Sequence, residues 1–439
     1  MEGEKKRPDA ETGRKGAPGM NSIILRTEIQ ERINEIGEAD ILVGIPSFNN
    51  AGTIGHVVKA VQAGFAKYFP DKKCVLINSD GGSTDGTMGV VQDTAIDDSS
   101  YILFYHRKGP IFKISTPYHG IPGKGSAFRT IFQIAEALNV KACAVVDSDL
   151  RSITPEWLEL LIKPVIQDNF DYVAPLYHRH KYDGTITNSI VYPLTRALYG
   201  KRVRQPIGGD FGFSGRLARF YLTKDVWGTD VAKYGIDIWM TTVAIASGFK
   251  VCQAFLGAKI HDPKDPGADL SAMLYQVVSS AFGLMDLYSE MWRSVTNSEP
   301  VPTFGFQYAV GLEPVTVNVD RMIERFSLGV RELMDIWKEI LPGEVVEFLR
   351  GVSEQPIESF RIPDEVWVEI IYNFALAFHR QTINKEHLLK SLTSLYIGRT
   401  ASFVKETWDS RASEVEEKIE GLCLMFEEKK SFIVEKWGA

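Results

Sequence analysis

Residues 144–150 read AVVDSDL, so Asp147 and Asp149 stand one residue apart at the end of an apolar run. In an extended chain, residues i and i+2 share a face. Two like charges on one face repel unless a cation lies between them. The plain reading is a strand end entering a polar turn with both carboxylates solvated. The chemical reading is a divalent ion that neutralises the pair and anchors a diphosphate. His261, after the apolar stretch FLGAKI, would complete such a set with Asp147 and Asp149, and carboxylates with an imidazole suit Mg²⁺ or Mn²⁺. A lone histidine at a strand end is nevertheless more often structural.

Three other clusters combine glycine with charge. SDGGSTDGT (79–87) puts Asp80 and Asp85 around a glycine turn, where Asp80 would accept from a nucleobase or ribose or simply shape the turn. GIPGKGSA (120–127) sets Lys124 between glycines just before a helical pattern. Backbone free of side chains can approach a phosphate there, at a helix N-terminus that favours anions. The P-loop spacing is absent. QPIGGDFGFSGR (205–216) follows adjacent glycines with Asp210, a candidate to orient a hydroxyl or to act as a base.

The elements around these residues alternate. Strands are expected at 39–48, 72–80, 101–107, 141–149 and 171–177, and helices carry Val57, Val61 and Phe65, then Phe128, Ile131 and Phe132. Such alternation predicts an α/β fold, a mainly parallel sheet with helices on both faces. Ligands bind beyond the carboxyl ends of such strands. IPSFNN, SDGGSTD and DSD all fall there. After about residue 270 the pattern becomes helical, with Met322, Phe326, Val330 and Trp337, then Ile370, Phe374 and Phe378, then Leu388, Leu392 and Leu395 at helical spacing. PVPTF (300–304) and LPGE (341–344) read as breaks between helices. The expected division is a leader at 1–20, an α/β domain at 21–269 and an all-α region at 270–439.

Composition narrows the class. The chain has 439 residues, 44% hydrophobic and 24% charged, with a net charge of −7, values of a globular protein that does not bind nucleic acid broadly. The charged N-terminus lacks the apolar core of a signal peptide, and no stretch approaches the roughly 20 apolar residues of a membrane span. Four scattered cysteines form no metal spacing. Three lie in apolar runs, which fits a reducing cytoplasm.

The order IPSFNN, SDGGSTDGT, GKG, DSD, GGD, YGIDI and GAKIH, over about residues 39–266, resembles GT-A fold glycosyltransferases that use nucleotide sugars. It is most similar to the retaining glucosylglycerate and glucosyl-3-phosphoglycerate synthases, and more distantly to mannosylglycerate synthases. The resemblance implies a nucleoside-diphosphate sugar donor, a small anionic acceptor, Mg²⁺ or Mn²⁺ as cofactor, a homodimer and a compatible-solute product. It implies that Pro46, Ser47, Phe48, Asn49, Asn50 and Asp80 hold the nucleoside, joined by Asp147 and Ser148. Lys124 would meet the donor phosphates. Asp149 and His261 would be direct metal ligands. GTITN (184–188) matches an acceptor-binding loop, with Gly184, Thr185, Thr187 and Asn188 as acceptor contacts. Gly208, Gly209 and Asp210 match the segment lining the donor sugar, and the Ile207 carbonyl would sit near the reacting centre.

The chain departs from the pattern in places. Thr185 stands where the phosphoglycerate enzymes carry an arginine, the natural bidentate phosphate partner. This favours plain glycerate or another small hydroxy acid, unless Arg202, Arg204 or Lys181 substitutes. Asn50, Ala51 and Gly81 also differ and leave the nucleotide base open. The expected chemistry is front-face transfer of a hexose, with the leaving phosphate taking the acceptor's proton and the anomeric configuration retained. The alternatives are an inverting enzyme acting on a lipid carrier or polysaccharide with Asp210 as base, and a nucleotide-sugar-binding regulator without turnover.

Overall fold

The computed structural model describes residues 25–94, 109–260, 271–308, 311–312 and 315–438. The expected leader, the expected strand at 101–107 and His261 lie outside the described residues. Ten strands are present in these segments: β1 (Ile41–Ser47), β2 (Cys74–Asp80), β3 (Ile111–Pro117), β4 (Ala142–Val145), β5 (Tyr172–His178), β6 (Lys201–Arg202), β7 (Phe211–Ser214), β8 (Val251–Ala258), β9 (Glu299–Pro300) and β10 (Thr303–Phe304). Eight of them form one sheet in the order β10-β8-β5-β7-β4-β1-β2-β3, and β6 pairs with β9 apart from it.

Every pairing in the large sheet is parallel except those of β7, which runs antiparallel to both β4 and β5. The reversal has a chemical result. It brings the start of β7, with Asp210 just before it, to the edge where β1, β2, β4, β5 and β8 end.

Strand residues alternate between two apolar layers. Leu42, Val75, Ile77, Cys143 and Val145 enter one, and Ile41, Val43, Cys74, Leu76 and Ala144 enter the other. A sheet covered on both faces needs no polar face, which is why its central strands read as unbroken apolar runs. The helices of this half are α1 (Thr27–Ile36), α2 (Ile54–Tyr68), α3 (Thr87–Asp93), α4 (Lys124–Ala137), α5 (Pro155–Ile166), α6 (Tyr192–Tyr199), α7 (Gly215–Leu222) and α8 (Ile236–Ala246). The second layer packs under α2 and α5, and the first under α4, α7 and α8.

The C-terminal part is helical, as expected: α9 (Ser271–Leu287), α10 (Ser289–Ser294), α11 (Val319–Lys338), α12 (Gly343–Ser353), α13 (Asp364–Arg380), α14 (Lys385–Glu406), α15 (Ala412–Glu428) and α16 (Lys430–Trp437). Two details differ from the sequence expectation. PVPTF is not merely a break, because Thr303 and Phe304 pair with Gln253 and Ala254 and extend the sheet as its edge strand. The residues past 270 also share a core with those before it, since one apolar cluster runs from Ile29 to Trp437. Periodicity located the change of pattern at 270 but could not reveal that the two halves bury a common surface. β3 went unread because it is a half-buried edge strand that follows Pro110, ends on Pro117 and carries Lys113 within it.

Polar bonds reinforce this junction. The Arg196 side chain on α6 is fully buried, with Nη1 at 2.5 Å from Glu420 and Nε at 2.8 Å from Glu427, both on α15. Removing it leaves two carboxylates facing a void. Glu420 is half exposed, so the loss falls somewhat below that of a fully buried pair. Arg196→Ala is expected to destabilise the chain by about 2–4 kcal/mol, measured as denaturant or thermal unfolding. A change below ~1 kcal/mol would show that water replaces the guanidinium.

Candidate active site

Three loops at the strand ends are knitted by short hydrogen bonds. After β1, the Asn49 N–H donates to Ser83 Oγ at 2.8 Å, and Asn49 Oδ1 accepts from the Thr84 N–H at 3.0 Å. The Asn50 N–H donates to Thr87 Oγ1 at 2.8 Å, and the Ala51 N–H to Asp85 at 3.0 Å. Asn50 Oδ1 then accepts from Ser148 Oγ at 2.8 Å, tying in the loop that follows β4. Asp80 is fully buried. Its carboxylate accepts from Ser47 Oγ, Ser83 Oγ and the N–H groups of Gly82 and Ser83, all within 2.9 Å. Asp80 therefore shapes the turn, and it is not among the cleft-lining residues.

Above these loops opens a cleft of about 600 Å³, a size suited to a small-molecule site. Its wall includes Pro46, Ser47, Phe48, Asn50, Lys124, Asp147, Ser148, Asp149, Gly184, Thr185, Thr187 and Ile207. Most of the residues expected from sequence thus meet in one place. Asn49, Asp80, Asn188 and Asp210 are absent from the wall. The Phe48 ring is 61% exposed at the cleft rim, available for stacking on a planar group.

The floor is a cluster of opposite charges. Asp147 Oδ1 lies 2.8 Å from Lys124 Nζ, and Oδ2 lies 2.8 Å from Lys259 Nζ. Lys259 also donates to Asp210 Oδ2 at 2.7 Å and to the Gly208 carbonyl at 2.8 Å. Asp210 is fully buried, and its carboxylate also accepts from the Asp147 N–H at 2.7 Å and from the Tyr177 hydroxyl. Lys124 reaches Asp237 on α8 at 3.3 Å.

These contacts set the protonation. Burial acts to raise the Asp147 pKa, but Lys124 and Lys259 outweigh it and hold the carboxyl well below its usual range. Burial dominates for Asp210 and Asp237, which are both pushed up, with Asp147 adding to the effect and the lysines opposing it. Burial also opposes the charge on both lysines, yet the surrounding carboxylates keep their pKa values raised.

Two glycine motifs also serve the packing of the chain itself. Gly123 and Gly125 meet backbone on the side where a Cβ would stand. A Cβ on Gly125 would stand 1.9 Å from the Val231 carbonyl, and one on Gly123 2.5 Å from that of Ala232. They let the loop before α8 press against the start of α4, where the Gly125 N–H donates to the Lys233 carbonyl. Gly209 has φ +91°, and a Cβ there would meet Asp147 Oδ2 at 2.3 Å, so its absence admits the carboxylate.

The expected metal set is only partly available. Both Asp147 oxygens are engaged by ammonium groups. Asp149 faces the cleft with no hydrogen bond to its carboxylate among the described residues, and no group of three metal-ligating side chains occurs among them. Mg²⁺ typically takes one or two protein carboxylates, with phosphates and water completing its shell. Asp149 beside Lys124 fits that mode.

Among the wall residues given no role in sequence are Arg179, Asp237 and Lys259. Arg179 follows β5, with Nε 2.9 Å from Asp183, and its guanidinium lies against Gly184. The three cations expected as substitutes for the missing loop arginine are bonded elsewhere. Arg202 meets Ser298, Arg204 meets Asn188 and Glu416, and Lys181 meets three carbonyls at the end of α14.

Asp210 and Asp237 bind protons more readily folded than unfolded, so their ionised forms lower stability at neutral pH. Asp237→Asn removes one such charge. The variant is expected to melt at or above the wild type at pH 7. The difference should close as pH falls through the raised Asp237 value toward the ordinary 3.8, where the wild-type carboxyl is itself protonated. A lower melting point at pH 7 would mean that the attraction to Lys124 exceeds the burial penalty.

Residues 42–227, which carry most of this site, match the model of glycosyl transferase family 2. The match covers this segment alone, which holds most of the mainly parallel sheet expected of the GT-A fold. No curated protein matches the chain. Among solved structures, glucosyl-3-phosphoglycerate synthase from Mycobacterium tuberculosis, in complex with Mn²⁺, UDP and glucosyl-3-phosphoglycerate, is similar at 21% identity and a TM-score of 0.42, over 57% of this chain and 83% of that one. The complex of that enzyme with Mn²⁺, UDP-glucose and phosphoglyceric acid gives 20% identity and a TM-score of 0.42, over 58% and 84%. Among the described residues, no helix is long and apolar enough to cross a membrane.

Proposed function

We propose that this chain transfers a hexose from a nucleoside-diphosphate sugar to a small hydroxy acid, with metal assistance and retention of configuration. The observation that carries the reading is the distribution of charge along one cleft. Phe48 and the knitted loops lie around the nucleoside end. Lys124 and Asp149 lie where a diphosphate would cross the strand ends. Arg179 and the 184–188 loop offer a guanidinium and hydroxyls to an anionic acceptor.

Each group then has a task. Lys124 stabilises charge on the departing diphosphate, and it is already at the start of α4, where the helix dipole adds to its effect. Asp149, with His261 as its expected companion, would hold the divalent ion, which when bound acts as a Lewis acid on the leaving group. Asp147, neutralised by Lys124 and Lys259, serves as the anchor that aims both ammonium groups. Arg179 orients the acceptor's carboxylate through charge-assisted bonds.

Retention is favoured because Asp210 is fully buried with both oxygens engaged, so it is badly placed to take a proton from an acceptor. The inverting alternative would instead use Asp237, a carboxylate on the cleft wall held, among the described residues, only by Lys124 at 3.3 Å. Four buried cysteines, none in a disulfide among the described residues, fit work in a reducing compartment.

The test is a product assay with a panel of nucleotide sugars against D-glycerate and 3-phosphoglycerate, with Mg²⁺ or Mn²⁺ present and then chelated. An α-linked glycosylglycerate that disappears with chelator is the expected result. A β-linked product would move the base to Asp237, and no transfer to either acid would remove the small-acid assignment. Arg179→Ala is expected to raise the acceptor KM by roughly tenfold or more, the loss of a charged hydrogen bond, with the donor KM near wild type. Equal rises in both would place Arg179 outside the acceptor site.

A further inference from the structure

The C-terminal region bonds to the acceptor loop and to the residues on either side of it. Lys181 donates to the carbonyls of Thr407 and Trp408 at 2.7 Å, beyond the end of α14. Tyr182 donates to the Val404 carbonyl at 3.3 Å. Trp367 on α13 donates to the Ser189 carbonyl at 2.7 Å, within the π-helical turn Thr187–Val191 that opens α6. These three contacts each use a backbone carbonyl and fix where the loop lies.

A fourth contact is of another kind. The hydroxyls of Thr185 and Tyr396, on α14, are 2.5 Å apart, and both side chains are buried. Thr185 also lines the cleft. Two hydroxyls that share one hydrogen bond leave one proton over. The phenol is the more acidic of the two and the better donor. With Tyr396 donating, the Thr185 proton is left for another acceptor, and the cleft that Thr185 lines is where one can bind. The Ser189 hydroxyl bonds the Thr185 carbonyl at 2.7 Å and steadies the backbone at the same residue.

We propose that Tyr396 is a positioning residue for the acceptor, acting from the C-terminal helices through the Thr185 hydroxyl so that Thr185 donates to an anionic oxygen of the bound acid. The proposal rests on reading 184–188 as the acceptor loop. It also gives the helical region a part in substrate selection, because the second residue of that loop is oriented by a side chain more than 200 positions away.

Tyr396→Phe keeps the ring and removes the donor. In the transfer assay with D-glycerate, the acceptor KM should rise about fivefold, part of the worth of a hydrogen bond to an anion, with kcat, donor KM and melting temperature close to wild type. Thr185→Val should behave alike, Thr185→Ser should retain wild-type KM, and the double variant Tyr396→Phe with Thr185→Val should be no worse than either single one. An unchanged acceptor KM in Tyr396→Phe, a parallel rise in donor KM, or additive effects in the double variant would overturn the proposal. If the wild type moves no sugar to the acid, the proposed function fails instead. Hydrogen exchange of Tyr396→Phe then decides separately. Faster exchange confined to residues 181–189 supports the positioning role, and unchanged or uniformly faster exchange defeats it.

Discussion

The carboxylate of Asp147 is the point on which the site depends. It sits just past the end of a buried strand, and it would be untenable there alone. Lys124 arrives from the start of α4 and Lys259 from the end of β8, each 2.8 Å away. Lys259 in turn satisfies Asp210, whose other oxygen accepts the backbone N–H of Asp147. Four elements are therefore aligned by one set of opposite charges in a poorly solvated place, where such attractions are strong and where an unmatched charge would be intolerable. The cleft acquires its shape because these partners must meet.

This dependence explains which parts of the site could be read from sequence. Asp147 and Asp149 are two positions apart, and their spacing alone raised the question of a counter-charge. Lys259 supplies that charge from 112 residues away. In sequence it is one lysine at the end of an apolar strand, indistinguishable from a solvent-facing residue until the register of β8 against β5 is known. The GKG glycines were legible as a demand for close approach, but not what approaches. The answer is the carbonyls of Val231 and Ala232, more than 100 residues later. Asp80 is the converse case. Its neighbours Ser47, Gly82 and Ser83 saturate it, so a residue type suited to ligands does local work.

The fold was more legible than the site because it rests on periodicities that local sequence carries. Strands buried on both faces, and helices with one apolar stripe, announce themselves within ten or fifteen residues. What crosses between segments did not. The edge strand Thr303–Phe304 is two residues long and has no period. The shared core and the Arg196 bonds to α15 depend on packing between regions that look separate when each is read alone.

The buried bonds from α6 to α15 also bear on how the chain matures. Synthesis delivers the sheet first, and domains often fold as they emerge. Here the edge strand arrives only with residue 304, and the carboxylates that neutralise Arg196 only with residues 420 and 427. Until then α6 carries a buried-type cation and an apolar face with nothing to cover them. A nascent chain stopped short of α15 would hold a complete sheet and an α6 whose guanidinium meets neither carboxylate. Such a fragment is a substrate for chaperones and proteases rather than an enzyme with reduced activity.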